Sequence, residues 1–328
     1  MDKIYDTNLE DVNIDALKDF LKKRIMVLSG QWENRVDWAL VESWLDNFNG
    51  ASGEDVETEQ LHALYLLSQF MYFGNREVKV LLRALYRDLF YIPLIQEIRN
   101  NNSGIRDQTV LTKLVENELN ATRFLGVGNP SESGVHLLYF FRQVNGLSKD
   151  HFMDTAQVMK RTQDKDGYII RVPRYPNVQR FVFVDDICGS GETAVRYSDD
   201  FLGDLLSVNK NACFYYFSLF ATSDGLSRVR NKSLFKENCG SVFVLDSTYR
   251  CLEKESRFLK IVPPGIDPEI VIKVARIYGE LICKGHSGGY KDSQMLLGFS
   301  HNTPDNTLPI IWMDGNKWAP IFKRYPKI

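Results

Sequence analysis

The sequence predicts an α/β protein: a parallel, doubly wound sheet with an N-terminal, mainly helical region. Three observations predict it. Short runs of β-forming apolar residues recur at 123–127, 181–184, 212–221 and 241–246, with helical stretches following them, which is the pattern of βα units. Small, hydroxyl-bearing or acidic residues stand at the ends of these runs, where ligands sit in such sheets. The first 120 residues carry apolar positions at helical spacing instead.

The 328 residues suffice for one large domain or two ordinary ones. We expect a division into a helical region, 1–120, and an α/β domain, 121–328. Hydrophobic content of 44% with 25% charged residues is that of a globular chain, and the net charge of −2 gives no overall bias toward nucleic acid. Five cysteines, none in a CxxC or metal-like spacing, and no signal peptide point to a reducing cytoplasm. No apolar run is long enough for a membrane span, so no membrane partner is expected.

In chain order, 12–28 and 32–48 read as helices, broken by Asn49-Gly50-Ala51-Ser52-Gly53. The apolar segment 61–73 stops at Gly74-Asn75, and 76–99 is an amphipathic helix. Its polar face aligns Arg76, Lys79, Arg83 and Arg87. That stripe is either a solvated face or a phosphate or nucleic-acid surface.

A strand over 123–127 runs into Gly128-Asn129-Pro130-Ser131-Glu132-Ser133-Gly134, and a helix follows over 135–144. The polar, basic and irregular stretch 160–177 carries Lys160, Arg161, Lys165, Arg171 and Arg174. The central unit comes next: a buried strand, 181–184, then Asp185 and Asp186, then Ile187-Cys188-Gly189-Ser190-Gly191-Glu192-Thr193, and a helix. Glycines and hydroxyls at the mouth of a helix let backbone N–H groups approach a phosphate. Two carboxylates just before them accept hydrogen bonds from hydroxyls or hold a divalent cation. A ligand with both a phosphate and a polyol, such as a ribose 5-phosphate, fits. Glu192 is tolerable there only if its side chain points to solvent.

Beyond the strands at 212–221 and 241–246, Pro263-Pro264-Gly265 marks a boundary before a helix over 268–284. A strand over 294–299 leads into a loop with His301, Asn302 and Asn306, followed by Trp312. These residues are either turn chemistry or an acceptor site that hydrogen-bonds and stacks on a base. His62, His136 and His151 stand alone and read as structural.

The central unit resembles the ribose-phosphate motif of type I phosphoribosyltransferases. The match runs through Val184-Asp185-Asp186, three variable residues, and Ser190-Gly191-Glu192-Thr193. Together with SQFMYFGNREVKVLLRALYR, LGVGNPSESG and HNTPDNTLPIIW, most of the chain is similar to the bacterial phosphoribosyltransferase-like proteins of conflict systems, the PRTase-CE type. The resemblance implies a phosphoribosyltransferase-type sheet and transfer of ribose 5-phosphate from phosphoribosyl pyrophosphate with Mg²⁺. Asp185 and Asp186 would hold the ribose and place the metal, and Gly189, Ser190, Gly191, Glu192 and Thr193 would form the phosphate loop. The pyrophosphate loop would be drawn from Gly128, Asn129, Ser131, Ser133 and Gly134, although it carries Glu132 and no basic residue. Segments 160–178 and 285–328 would supply covering or acceptor elements. The resemblance also implies antiphage defence beside protein partners such as an ATPase or a retron reverse transcriptase, with a nucleotide or RNA as acceptor. A non-catalytic sensor or interaction subunit of the same fold is the alternative.

Overall fold

A computed structural model describes residues 13–128, 133–315 and 317–324. The chain begins with α1 (Ile14–Gln31), α2 (Trp38–Leu45), α3 (Val56–Leu67) and β1 (Met71–Phe73). It continues with α4 (Asn75–Ala84), a π-helical segment (Leu85–Tyr91), α5 (Ile92–Asn101), α6 (Gln108–Asn120), β2 (Thr122–Gly126) and α7 (Ser133–Val144). Then come β3 (Met159–Gln163), β4 (Ile169–Pro173), β5 (Arg180–Cys188), α8 (Glu192–Tyr197) and α9 (Gly203–Val208). The remaining elements are β6 (Cys213–Thr222), α10 (Ser223–Lys232), β7 (Cys239–Leu245), α11 (Pro268–Ile282), β8 (Leu297–Phe299) and α12 (Pro309–Trp312).

The chain falls into two compact units, and not at residue 120. One unit joins Met1–Asn75 to Ser247–Ile328, and the other is Arg76–Asp246. The expected division grouped residues by secondary structure. Packing groups them differently, because the helices from α4 to α6 belong with the sheet and the C-terminal segment belongs with α1 to α3.

In the unit Arg76–Asp246, four strands pair in parallel in the order β2-β5-β6-β7. Both faces of this sheet are covered, as expected for a doubly wound fold. Side chains alternate along a strand, so Phe124 and Leu125 of β2 face opposite ways. Leu125 joins a buried cluster with Phe183 and Tyr216 of the sheet, Ala194 of α8, and Leu226 and Val229 of α10. Phe124 packs its ring on Phe90 of the π segment and Phe141 of α7, with centroids 5.2 and 5.1 Å apart. Phe152 makes a single parallel bridge to Phe124, on the side of β2 away from β5. The chain therefore leaves β2 toward one side and returns to pair β5 on the other. That reversal is a topological switch point, where crevices form beyond strand carboxyl ends.

The stretch 160–177 is more regular than its composition suggests. β3 and β4 form an antiparallel hairpin closed by Asp164-Lys165-Asp166-Gly167. The Asp164 carboxylate accepts from the backbone N–H groups of Asp166 and Tyr168 at 3.0 and 2.9 Å, and Gly167 takes φ +83°. The expected helix over 76–99 is three consecutive segments, since seven residues adopt the wider π winding.

The other unit packs α1, α2, α3, α11 and α12 around Trp32, Trp44, Phe48 and Trp318, with β1 and β8 paired in parallel. The helix expected over 32–48 is only α2. Glu33 and Asn34 take positive φ, and Asp37 caps α2 by accepting from the Leu40 backbone N–H. His62 bridges the Thr58 carbonyl and the Asp267 backbone N–H, the structural role expected of it.

Candidate functional site

The site grows from the end of β5. The strand runs on past the apolar residues 181–184 to Cys188, so Asp185 and Asp186 are held by sheet pairing and not by a free loop. Asp185 lies directly opposite Ser218 of β6. Its carboxylate accepts from the Tyr216 hydroxyl at 3.0 Å and from the Asp186 backbone N–H at 3.0 Å. Asp186 is buried, 5% exposed. Burial and the adjacent Asp186 carboxyl push the Asp185 pKa well above the usual carboxylate range, and the Tyr216 hydrogen bond only partly opposes them. Burial also pushes the Cys188 thiol up to about 12, which makes it a poor nucleophile.

Past Cys188 the chain turns through Gly189, Ser190 and Gly191, and α8 begins at Glu192. Glu192 and Thr193 are thus first-turn helix residues, so α8 starts two residues earlier than the sequence suggests. The turn is moulded against α10. Thr222 donates its hydroxyl proton to the Gly189 carbonyl at 2.6 Å and accepts from the Gly225 backbone N–H at 2.8 Å. A Cβ on Gly225 would lie 2.2 Å from the Gly189 carbonyl oxygen, and one on Gly191 would lie 2.5 Å from that of Gly225. Gly191 also takes φ +74°, so both glycines are required by geometry. Ser190 accepts from the Glu192 N–H at 3.4 Å. Glu192, half-buried, ion-pairs with Arg228 at 3.5 Å, and Thr193 is exposed.

A second loop adjoins this one, because β2 pairs β5 with Gly126 opposite Val184. A Cβ on Gly134 would meet the Val127 backbone at 2.8 Å and the Val184 carbonyl at 3.0 Å, so α7 starts tight against both strand ends. Gly128 takes φ +93°. Gly128 and Gly134 are thereby brought beside Asp185. Asn129 and Ser131 lie outside the described residues, and Ser133 opens α7. Of the hairpin cations, Arg171 stands opposite Arg161 in register and ion-pairs with Asp204 at 3.1 Å, while Arg174 donates to the Gln157 carbonyl at 2.9 Å. Among the described residues no group of three or more His, Cys, Asp or Glu side chains forms a metal cage. Two adjacent carboxylates suit Mg²⁺, which keeps several waters and completes its shell with substrate phosphates.

The profile of the PRTase-CE family matches residues 41–324. The chain belongs to the PRTase-CE family. One solved structure similar to this PRTase-CE chain is Helicobacter pylori xanthine-guanine-hypoxanthine phosphoribosyltransferase. It is 11% identical over 53% of this chain and 92% of its own, with a TM-score of 0.24, too low to bear on the site. A search of curated proteins gave no significant match.

The acceptor candidates of the PRTase-CE chain all lie in the discontinuous unit, whereas Asp185 and Asp186 lie in the other. Asn306 is buried and donates to Ser293 Oγ at 3.0 Å, and Trp312 Nε1 donates to the Thr307 carbonyl at 2.8 Å. His301 stacks on Phe299 with centroids 5.2 Å apart, and the Asn302 backbone carbonyl accepts from the Phe299 N–H at 2.9 Å. These contacts pack the turn around Asn306 and Trp312, while the buried Asn302 Oδ1 has no hydrogen-bond partner among the described residues. In the basic stripe, Arg87 is paired with Asp88 at 2.6 Å, Arg83 donates to the Val144 carbonyl at 3.3 Å, and Lys79 lies 5.5 Å from the Phe140 ring centre.

Two residues at the site escaped the sequence reading. Tyr216 holds Asp185 from β6. Phe243 of β7 stacks on Phe220 with centroids 5.4 Å apart and an interplanar angle of 15°, and it is 48% exposed. Ile187, Phe220 and Phe243 share one register row across three strands, two positions beyond the row of Asp185, Ser218 and Ser241. The sequence signal was an aromatic two positions from the end of β7 for Phe243 and one of several aromatics inside β6 for Tyr216, and many core strands carry such residues.

Proposed function

We propose that this PRTase-CE protein binds the ribose 5-phosphate of phosphoribosyl pyrophosphate or a nucleotide at the end of β5 and transfers phosphoribose to a nucleotide or RNA acceptor. The observation that carries the reading is the pair Asp185–Asp186, set immediately before a glycine-tight turn into a helix at the switch point of a parallel sheet. Asp185 and Asp186 accept hydrogen bonds from the ribose hydroxyls. The backbone N–H groups of 189–193, with the Ser190 and Thr193 hydroxyls, hold the 5-phosphate. Mg²⁺, when bound at the two carboxylates and the substrate, would neutralise charge on the departing pyrophosphate. In the reaction the C1–O bond to pyrophosphate breaks and pyrophosphate leaves with the electron pair. A nitrogen or oxygen of the acceptor bonds to C1 and loses its proton. The contribution of the protein is positioning and electrostatics, with no covalent intermediate. The exposed Phe243 ring, in the same unit as Asp185 and Asp186, offers the acceptor a stacking platform.

Calorimetry with phosphoribosyl pyrophosphate and Mg²⁺ tests the reading. Wild type binds, and Asp185→Asn with Asp186→Asn loses binding by a hundredfold or more, on the order of two buried charged hydrogen bonds. Undiminished binding by the double variant would sink it. A second reading, a ligand sensor without transfer, is favoured by one observation: no basic residue lies in the 128–134 segment that would hold pyrophosphate. Binding without pyrophosphate release for any acceptor would select the sensor. We extend the proposal to antiphage defence in the cytoplasm beside a protein partner such as an ATPase or a retron complex. There the same double variant abolishes protection of phage-challenged cells.

A further inference from the structure

The hydroxyl of Tyr216 is an unusual thing to find beneath a phosphate-loop strand. Tyr216 is 1% exposed, sits in register with Phe183 on β5, and packs its ring at a tilt against Phe235 with centroids 5.4 Å apart. A buried tyrosine needs a partner for its O–H. Here the proton goes to Asp185 Oδ2 at 3.0 Å. The other Asp185 oxygen, Oδ1, is taken by the Asp186 backbone N–H at 3.0 Å. Each carboxylate oxygen thus has one fixed donor, and the plane of the group is set before any ligand arrives. Each oxygen keeps a further lone pair for an incoming hydroxyl.

We propose that Tyr216 is a positioning residue: its hydroxyl locks the Asp185 carboxylate in the orientation that reads the ribose hydroxyls, and so sets selectivity for ribose over deoxyribose phosphates. The inference rests on the ribose-phosphate reading above and adds to it the group that enforces sugar selectivity. Tyr216 does not touch the ligand. Without its hydroxyl, Asp185 Oδ2 loses its fixed donor and the carboxylate is free to rotate about its Cβ–Cγ bond.

The test measures affinities for ribose 5-phosphate and for its 2-deoxy and 3-deoxy analogues at fixed Mg²⁺, in wild type, Tyr216→Phe and Phe235→Leu. Wild type prefers the ribose ligand to at least one analogue. Tyr216→Phe weakens ribose 5-phosphate by about five- to twentyfold, the range for a lost hydrogen bond to a charged group. It changes affinity for the discriminated analogue by less than about twofold, so the selectivity ratio collapses. Phe235→Leu loosens the packing around the same ring but keeps the hydroxyl, and it leaves the ratio intact. An equal fall for all three ligands in Tyr216→Phe, an unchanged ratio, or a wild type that does not discriminate each overturns the positioning role. A wild type that binds none of the sugar phosphates overturns the ribose-phosphate reading itself, and the positioning role with it.

Discussion

Asp185 carries a conflict that the ligand-free protein has to tolerate. Its pKa in the folded chain is raised, by burial first and by Asp186 second. A raised folded pKa means that the native state binds the proton more tightly than the unfolded chain. The associated stability is fully present below the ordinary carboxylate range and is lost as pH rises through the raised value. Asp185→Asn removes the buried charge. The ligand-free variant is therefore more stable than wild type at pH 8, on the order of 1 kcal/mol, and the gap closes below about pH 4. Urea unfolding across that range checks it, and an equal gap at both ends would refute the assignment. Glu59 behaves in the opposite sense. Burial raises its pKa, but hydrogen bonds from the Ser52 side, Tyr278 and the Gly50 N–H outweigh that and leave it lowered. Its contribution is present above the unfolded value and is lost as pH falls through the folded one. Glu59→Leu strands two backbone N–H groups and removes the nearest acceptor of the Tyr278 hydroxyl, and it costs about 3 kcal/mol by chemical denaturation at pH 7. Asp185, Asp186 and the glycine turn were legible because they are contiguous. Tyr216 was not, because its partner lies 31 positions away and only strand register joins them.

The four strands of the parallel sheet were legible in place, since a buried parallel strand reads as an apolar run, whereas β1, β3 and β4 were not. The end of β5 was not. Two acids look like a loop in sequence, and only pairing with β6 shows that they continue the ladder. The helices were blurred at places that pattern does not encode: the positive-φ pair Glu33 and Asn34, and the π winding at Leu85–Tyr91. Glu192 shows how an unfavourable residue is accommodated, because the early start of α8 turns it toward Arg228. The contact between the β5 turn and α10 yields a sharp prediction. A methyl at residue 225 meets two backbone carbonyls, neither of which can rotate away. Gly225→Ala displaces the 189–191 turn, destabilises the protein by about 2 kcal/mol and weakens sugar-phosphate binding more than tenfold. Calorimetry and thermal melting measure both effects. Gly203→Ala is the control, since nothing lies within 4 Å of its added methyl.

At the scale of the whole chain, the sequence misplaces the division because a discontinuous unit leaves no linker at its seams. The first seam falls where α4 begins, and the second falls one residue past β7. Pro263-Pro264-Gly265 looked like a boundary but is internal to its unit. All four strands of the parallel sheet lie within 122–245. A fragment spanning 76–246 therefore unfolds cooperatively by circular dichroism, whereas a fragment spanning 1–120 shows no cooperative transition. A non-cooperative 76–246 fragment would contradict the division.

The pairing of β1 with β8 sets an order of events during synthesis. Met71 and Leu297 are register partners, and the Trp44 indole donates to the Ile310 carbonyl. The first three helices thus emerge from the ribosome without the segments that complete their core. At about 5–20 residues per second, they wait roughly 10 s or more for those segments. The sheet-bearing segment is finished in that interval and can fold first. Its two ends are then fixed, and the open loop that separates the early helices from their late partners is shortened. A nascent chain is most exposed to aggregation and to chaperone capture while Trp32, Trp44 and Phe48 have no finished core to enter, so slowing translation after codon 246 lengthens that vulnerable period.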